Sequence, residues 1–200
     1  MLAASPSDDD STSLAEGESE LPTEGVQEKS LYKRHRIVFD VVGAIIIIAV
    51  VAIIISNTLV AVLQVRGTSM EPTIQEGDVI VTSRGGSYST GDIIAFNFDN
   101  KVLLKRVIAF GGDTVSIDAA GNVTVNGQQI SQDYALNPDE GYSDIDYPYT
   151  VPEGSIFVLG DNRRSSIDSR SSALGTINTD QVIGKVLFCV WPFDRIGGVS

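Results

Sequence analysis

Three segments of the 200-residue chain carry side chains able to do covalent chemistry. The first, Gly67-Thr68-Ser69-Met70-Glu71-Pro72-Thr73, presents a serine on a turn. Glycine allows a close backbone approach, and Pro72 biases Glu71 toward extended geometry. The N–H groups of such a turn can face a developing oxyanion. Serines in turns also serve as local hydrogen-bonding groups, and the segment alone does not choose between the two roles. In the second, Lys105 interrupts Val102-Leu103-Leu104-Lys105-Arg106-Val107-Ile108, a run otherwise suited to a buried strand. At period two, Lys105 projects with Leu103 and Val107 while Arg106 projects with Leu104 and Ile108, so one of the two charges is expected to be forced inward. A buried ammonium sheds its proton more readily, by up to about 3 to 5 pKa units, which makes a lysine a neutral base near physiological pH. A lysine that snorkels to water keeps its proton instead. The third segment, Gly160-Asp161-Asn162-Arg163-Arg164-Ser165-Ser166-Ile167-Asp168-Ser169-Arg170, follows the apolar run Ser155 to Leu159. Its Asp and Arg residues can form bidentate pairs that stiffen an irregular loop, and its serines can orient a lysine, although a solvated polar loop has the same composition.

An absence narrows the chemistry. His35 is the only histidine, and it precedes a long apolar stretch. If that stretch spans a bilayer, about 30 Å separates His35 from everything after it. A Ser-His-Asp arrangement is then excluded in the C-terminal part, and a hydrolase there needs a lysine or a carboxylate as base. Only Lys101, Lys105 and Lys185 are available as lysines after the stretch. Paired carboxylates acting alone remain open, without a distinctive signature. Cys189 sits in Val186-Leu187-Phe188-Cys189-Val190, where a small hydrophobe is expected, and one cysteine makes neither a disulfide nor a zinc site. No metal or other cofactor is expected.

The elements that would position these groups follow from hydropathy and charge. Residues 1 to 28 hold eight acidic side chains and no Lys or Arg, amid Ser, Gly, Pro and Thr. Such a segment cannot bury enough apolar surface to offset its ordering entropy, so residues 1–36 read as a disordered acidic tail ending in a basic juxtamembrane segment. The tail contributes most of the net charge of −12, which argues against nucleic-acid binding. From Val41 to Leu63 there is no charged residue. The anchor is placed at 37–58, with Lys29, Lys33, Arg34 and Arg36 before it and Arg66 alone soon after it. The positive-inside rule then leaves the N-terminus cytoplasmic and residues 59–200 outside. A cleaved secretory signal is the competing reading, disfavoured by the long charged lead and the missing Ala-x-Ala.

After the anchor, β-branched runs alternate with Gly, Asp and Asn: Asp78 to Thr82, Asp92 to Phe98, Val102 to Phe110, Thr114 to Ile117, Asn122 to Val125, Ser155 to Leu159 and Gln181 to Val190. Ala120-Gly121-Asn122 and Asn126-Gly127 read as hairpin turns. Residues 131 to 152 read as a surface excursion. The fold class is mainly β, antiparallel coiled sheets behind one transmembrane helix.

In this order, the segments resemble the type I signal peptidase family of the serine-lysine kind, in its Gram-positive, single-anchor form. Gly67 to Thr73 is similar to its nucleophile motif, Gly91-Asp92-Ile93-Ile94-Ala95-Phe96 to its next strand motif, and Lys105-Arg106-Val107-Ile108 with Gly112-Asp113 to its base motif. Val151-Pro152-Glu153-Gly154 through Gly160-Asp161-Asn162-Arg163 to Asp168-Ser169-Arg170 is the most specific match, and Trp191 to Gly198 closes it. The resemblance implies the fold shared with self-cleaving repressors, Ser69 as nucleophile and oxyanion-hole N–H donor, Lys105 as neutral base, and Ser166 orienting Lys105. Gly67, Met70, Asp161, Asp168 and Arg170 fall to structural support of the site. Gram-negative members carry a serine two residues before the nucleophile, where this chain has Gly67, so no hydroxyl donor to the oxyanion is implied there. The implied substrates are exported preproteins whose signal peptides end in small residues at −1 and −3, and the implied partners are the bilayer and the secretion translocase. Trp191 and Phe193 either dip toward the membrane or join the core. The rivals are a self-cleaving serine-lysine peptidase of the repressor type and a non-catalytic, membrane-anchored β-domain.

Overall fold

The computed structural model describes residues 24–139 and 141–199. Most of the tail, residues 1–23, lies outside the described residues. From Glu24 the backbone is helical, and the helix α1 runs Glu24–Leu59. It therefore begins inside the segment expected to be disordered, because residues such as Glu24, Gln27, Glu28 and Lys29 extend an already nucleated helix at little propensity cost. Within it, Ile37–Ile54 has a mean hydropathy of 3.2 and is long and apolar enough to cross a membrane. Its apolar side chains are exposed, Ile47 by 65% and Ile48 by 68%.

The rest of the chain is strand-rich. The strands are β1 (Val60–Gln64), β2 (Val79–Ser83), β3 (Ile93–Phe98), β4 (Lys101–Phe110), β5 (Thr114–Ile117), β6 (Val123–Val125) and β7 (Gln128–Gln129). They continue with β8 (Tyr149–Thr150), β9 (Ser155–Leu159), β10 (Ile177–Asn178), β11 (Val182–Trp191) and β12 (Gly197–Gly198). The seven expected strands are all present within a residue or two. The uncharged run to Leu63 divides, however, since the helix stops at Leu59 and Val60 to Gln64 pair antiparallel with β2. Hydropathy alone cannot separate a span from an apolar strand that continues it. The other additions, β7, β8, β10 and β12, are two residues long and exist only through their partners.

The larger sheet has the order β1-β2-β11-β3-β4-β9-β10, with β12 on β11, and the smaller has the order β7-β6-β5-β8. The turn after β6 uses Asn126 and Gly127 at φ 52° and 78°, and Gly121 at 80° lies in the turn before it. Both expected hairpins therefore form. Residues 131–139 and 141–148 run as loop, with a bridge between Leu136 and Asn162.

Alternate residues of the central strands pack to opposite sides. Ile156 and Val158 of β9 join Phe96 and Val107, whereas Phe157 and Leu159 join Ile108 and Val115. A further cluster, Val65, Met70, Ile74, Ile80, Ile93, Val186 and Cys189, lies beneath the turn between β1 and β2. Cys189 is the small core hydrophobe expected of it. Trp191 and Phe193 stack edge to face but are 49% and 74% exposed, so they are not core residues.

Candidate active site

The serine turn is held from below. Met70 and Ile74 are buried in the core, Ile74 N donates to Met70 O, and Glu71 N donates to Thr68 O, which leaves Ser69 half-buried at the surface of the turn. Gly67 has φ 87°, and a Cβ there would meet nothing within 4 Å. Its role is conformational rather than steric, since a left-handed residue reverses the chain before Ser69. From the opposite side Asn162 N donates to Ser69 O at 3.1 Å.

Lys105 lies where β4 loses one of its partners. From Lys101 to Arg106 the strand pairs with β3, but β9 joins only from Arg106 onward, so one edge of residues 101–105 is open. The ammonium reaches Ser69 across this gap, with Nζ 2.9 Å from Oγ in a hydrogen bond. Lys105 is 3% exposed. Burial pulls its pKa down from the ordinary 10.5 to about 8; Arg170 adds to the lowering, while Asp168 and Asp161 oppose it.

The expectation that one of the two adjacent charges turns inward is corrected, because both are buried. Arg106, 2% exposed, donates Nε to Asp161 Oδ1 at 2.9 Å and Nη2 to Asp161 Oδ2 at 2.7 Å. It also donates to Gly91 O, and its guanidinium lies 4.0 Å from the centre of the Tyr134 ring. A strand covered on both sides leaves neither neighbour a path to water, and only a complete set of partners makes that tolerable. Asp161 additionally accepts from Thr73 Oγ1, which ties the serine turn to the loop after β9.

That loop carries the remaining expected residues. Asp168 accepts from Gly160 N at 3.0 Å and from Arg170 Nε at 2.8 Å and Nη2 at 3.0 Å. Arg170 Nη2 also donates to Arg163 O, and Arg163 Nε donates to Gly160 O. These bonds close the loop upon itself. Ser166 is buried, but its hydroxyl makes no hydrogen bond, so the expected bond to Lys105 is not formed in this state. The loop seats Ser166 against Gly160 instead. A Cβ added at Gly160 would overlap Ser166 Oγ and Cβ and stand 2.6 Å from Ser69 O.

Gly160, Asn162 and Thr73 lie in the quoted segments but had no role assigned to them from the sequence, and Tyr134 was not singled out. Gly160 and Asn162 lie inside the polar cluster and could have been flagged as a strand-end glycine and an amide. Nothing local marks Tyr134, which arrives from a distant loop.

A cleft opens beside Ser69 and Lys105, walled by Leu63, Gln64, Val65, Arg66, Gly67 and Met70 on one side and by Val102, Leu103 and Leu104 on the other. β1 pairs only with β2, so its outer edge is open as well. A half-buried hydroxyl, a buried amine bonded to it and two open strand edges thus lie around one cleft of mixed polar and apolar lining. Among the described residues no cluster of His, Cys, Asp and Glu could hold a metal ion.

The family described as signal peptidase, peptidase S26, matches residues 38–191. The chain belongs to this family. It is 36% identical to signal peptidase I of Bacillus amyloliquefaciens over 180 residues, covering 84% of this chain and 96% of that protein. It is 33% identical to signal peptidase I S of Bacillus subtilis (strain 168), covering 76% and 89%. A crystal structure of a signal peptidase I from Enterococcus faecalis V583 is 32% identical, covers 50% of this chain and 97% of that one, and superposes with a TM-score of 0.41. The chain is thus a peptidase of mainly antiparallel β-structure with an N-terminal apolar helix.

Proposed function

We propose that this peptidase removes signal peptides from exported preproteins after a small-x-small motif, with Ser69 as nucleophile and neutral Lys105 as general base. The carrying observation is the 2.9 Å contact between Lys105 Nζ and Ser69 Oγ, made by a lysine whose pKa is lowered to about 8. At pH 7 about one-tenth of such a lysine is neutral, roughly 300-fold more than at a pKa of 10.5. The neutral amine accepts the Ser69 proton as Oγ attacks the scissile carbonyl. The resulting ammonium then protonates the departing amine, and water repeats the cycle on the ester. The Ser69 N–H serves the oxyanion. Ser166, whose buried hydroxyl is unpartnered beside the Ser69 peptide, is proposed to hold Lys105 during turnover.

The open edges of β1 and of residues 101–105 in β4 suit a substrate bound as an added strand. Side chains alternate along such a strand, so residues at −1 and −3 face the walls around Leu63, Val65 and Leu104, which favours small groups. We place α1 as a single bilayer anchor with its N-terminus in the cytoplasm and the β-domain outside a bacterial plasma membrane, within reach of preproteins leaving the secretion translocase. The test is cleavage of a purified preprotein by the full chain in nonionic detergent. Ser69→Ala and Lys105→Ala are each expected to abolish it, and full activity in either variant overturns the mechanism. Accessibility of residues after 63 to protease added to intact cells tests the orientation.

A further inference from the structure

We propose that Arg66 is a specificity-determining residue that favours preproteins carrying an acidic side chain at −2 or +1, an inference that rests on the cleavage reading above. Residues 62–66 alternate between exposed and inward positions: Val62, Gln64 and Arg66 are exposed, while Leu63 is half-buried and Val65 is buried. On a strand added beside β1, the substrate residues sharing the inner face are −1 and −3. The residues on either side of −1, namely −2 and +1, share the outer face with Gln64 and Arg66.

Arg66 stands three residues before Ser69 and lines the same cleft. Among the residues lining that cleft only Arg66 and Lys105 are ionisable, and Lys105 is buried against Ser69. Arg66 forms no ion pair with any of the described residues, and no carboxylate is among the residues of the cleft wall. The Glu76 carboxylate lies close by, its Oε1 accepting from Gly67 N at 3.2 Å, but it forms no ion pair with Arg66, so the Arg66 guanidinium remains available to a substrate on the outer face. An Asp or Glu placed opposite it gains a cross-strand partner, while a Lys there meets repulsion.

The experiment uses the full chain in nonionic detergent, which removes lipid headgroups as competing anions. One preprotein is made with Ala, Asp or Lys at −2, and a second series with the same residues at +1. The reading is the ratio of kcat/KM for Asp over Lys, taken within each enzyme so that any general loss of rate cancels. The parent chain is expected to favour Asp by about fivefold at one position or both, since attraction and repulsion act together on exposed charges. Arg66→Gln should bring the ratio near one, Arg66→Glu should invert it, and 0.5 M salt should compress it. The same ratio in all three enzymes, or a preference that salt leaves unchanged, overturns the proposal. If Arg66→Glu does not fold, Arg66→Gln decides the question. Failure of the parent chain to cleave even the Ala series would instead overturn the cleavage reading.

Discussion

Replacing Lys105 by methionine should destroy activity and stabilise the protein in the same molecule. Methionine keeps an unbranched apolar stem of similar length and introduces no charge. In the folded chain Lys105 has a pKa near 8, against 10.5 for the ordinary group. The unfolded state thus binds more protons between those values, and stability rises with pH across that window. Below pH 8 the full cost of holding the ammonium in a buried place applies, roughly 3 kcal/mol at pH 7 for a pKa lowered from 10.5 to about 8. By pH 10 it has shrunk to under about 1 kcal/mol. The variant also loses the hydrogen bond to Ser69, about 1 kcal/mol, although the half-buried hydroxyl can turn to water. Lys105→Met is therefore expected to be more stable than the parent by about 2 kcal/mol at pH 7, or roughly 6 °C in Tm, and about equal to it at pH 10. Far-UV circular dichroism of the full chain in detergent, scanned with temperature at both pH values, measures this. Preprotein cleavage should fall by at least about 10²-fold, as expected for loss of a general base. A variant less stable than the parent at pH 7, or a gain equal at both pH values, would refute the account of Lys105 as a desolvated amine.

Other outcomes follow from the same geometry. The kcat/KM for a preprotein should rise about tenfold per pH unit and level off near pH 8, because protonation of Lys105 below that value removes the base; a flat profile from pH 6 to 9 would assign the base elsewhere. Asp161→Ala strands the buried Arg106 guanidinium and should cost about 3 to 5 kcal/mol, read as a lower Tm. Gly160→Ala pushes a methyl group into Ser166 and the Ser69 carbonyl, so turnover should collapse, and an active Gly160→Ala enzyme would show that the loop after β9 is free to move. Ser166→Ala deletes a hydroxyl without a folded-state partner and should leave Tm within about 0.5 kcal/mol equivalent, while a drop in kcat would mark its use during turnover.

Much of the architecture was legible from local pattern. An uncharged aliphatic run, strands of β-branched residues and Asn-Gly turns are dictated by hydrophobic transfer and φ/ψ sterics, which act within a few residues. Local pattern drew attention to Lys105 as a charge in an apolar strand, but it did not separate a nucleophile from a capping serine at Ser69, and the choice of the pair came mainly from the family resemblance. What the local signal could not settle was where the span ends. Val60 to Gln64 become a strand only because β2 offers partners, and pairing energy comes from residues about twenty positions away.

The chain itself determined the inventory: one histidine on the far side of an apolar helix, one lysine inside a buried strand, and a serine on a turn before a proline. Tertiary structure decided the relations among them. It buried both Lys105 and Arg106, gave Arg106 to Asp161, left the Ser166 hydroxyl unpartnered and brought Lys105 within 2.9 Å of Ser69, thirty-six residues earlier. The physical reason is that a pKa and a hydrogen bond depend on the dielectric and the partners around a group. Those are set by which strands pack together, and no window of sequence contains that information.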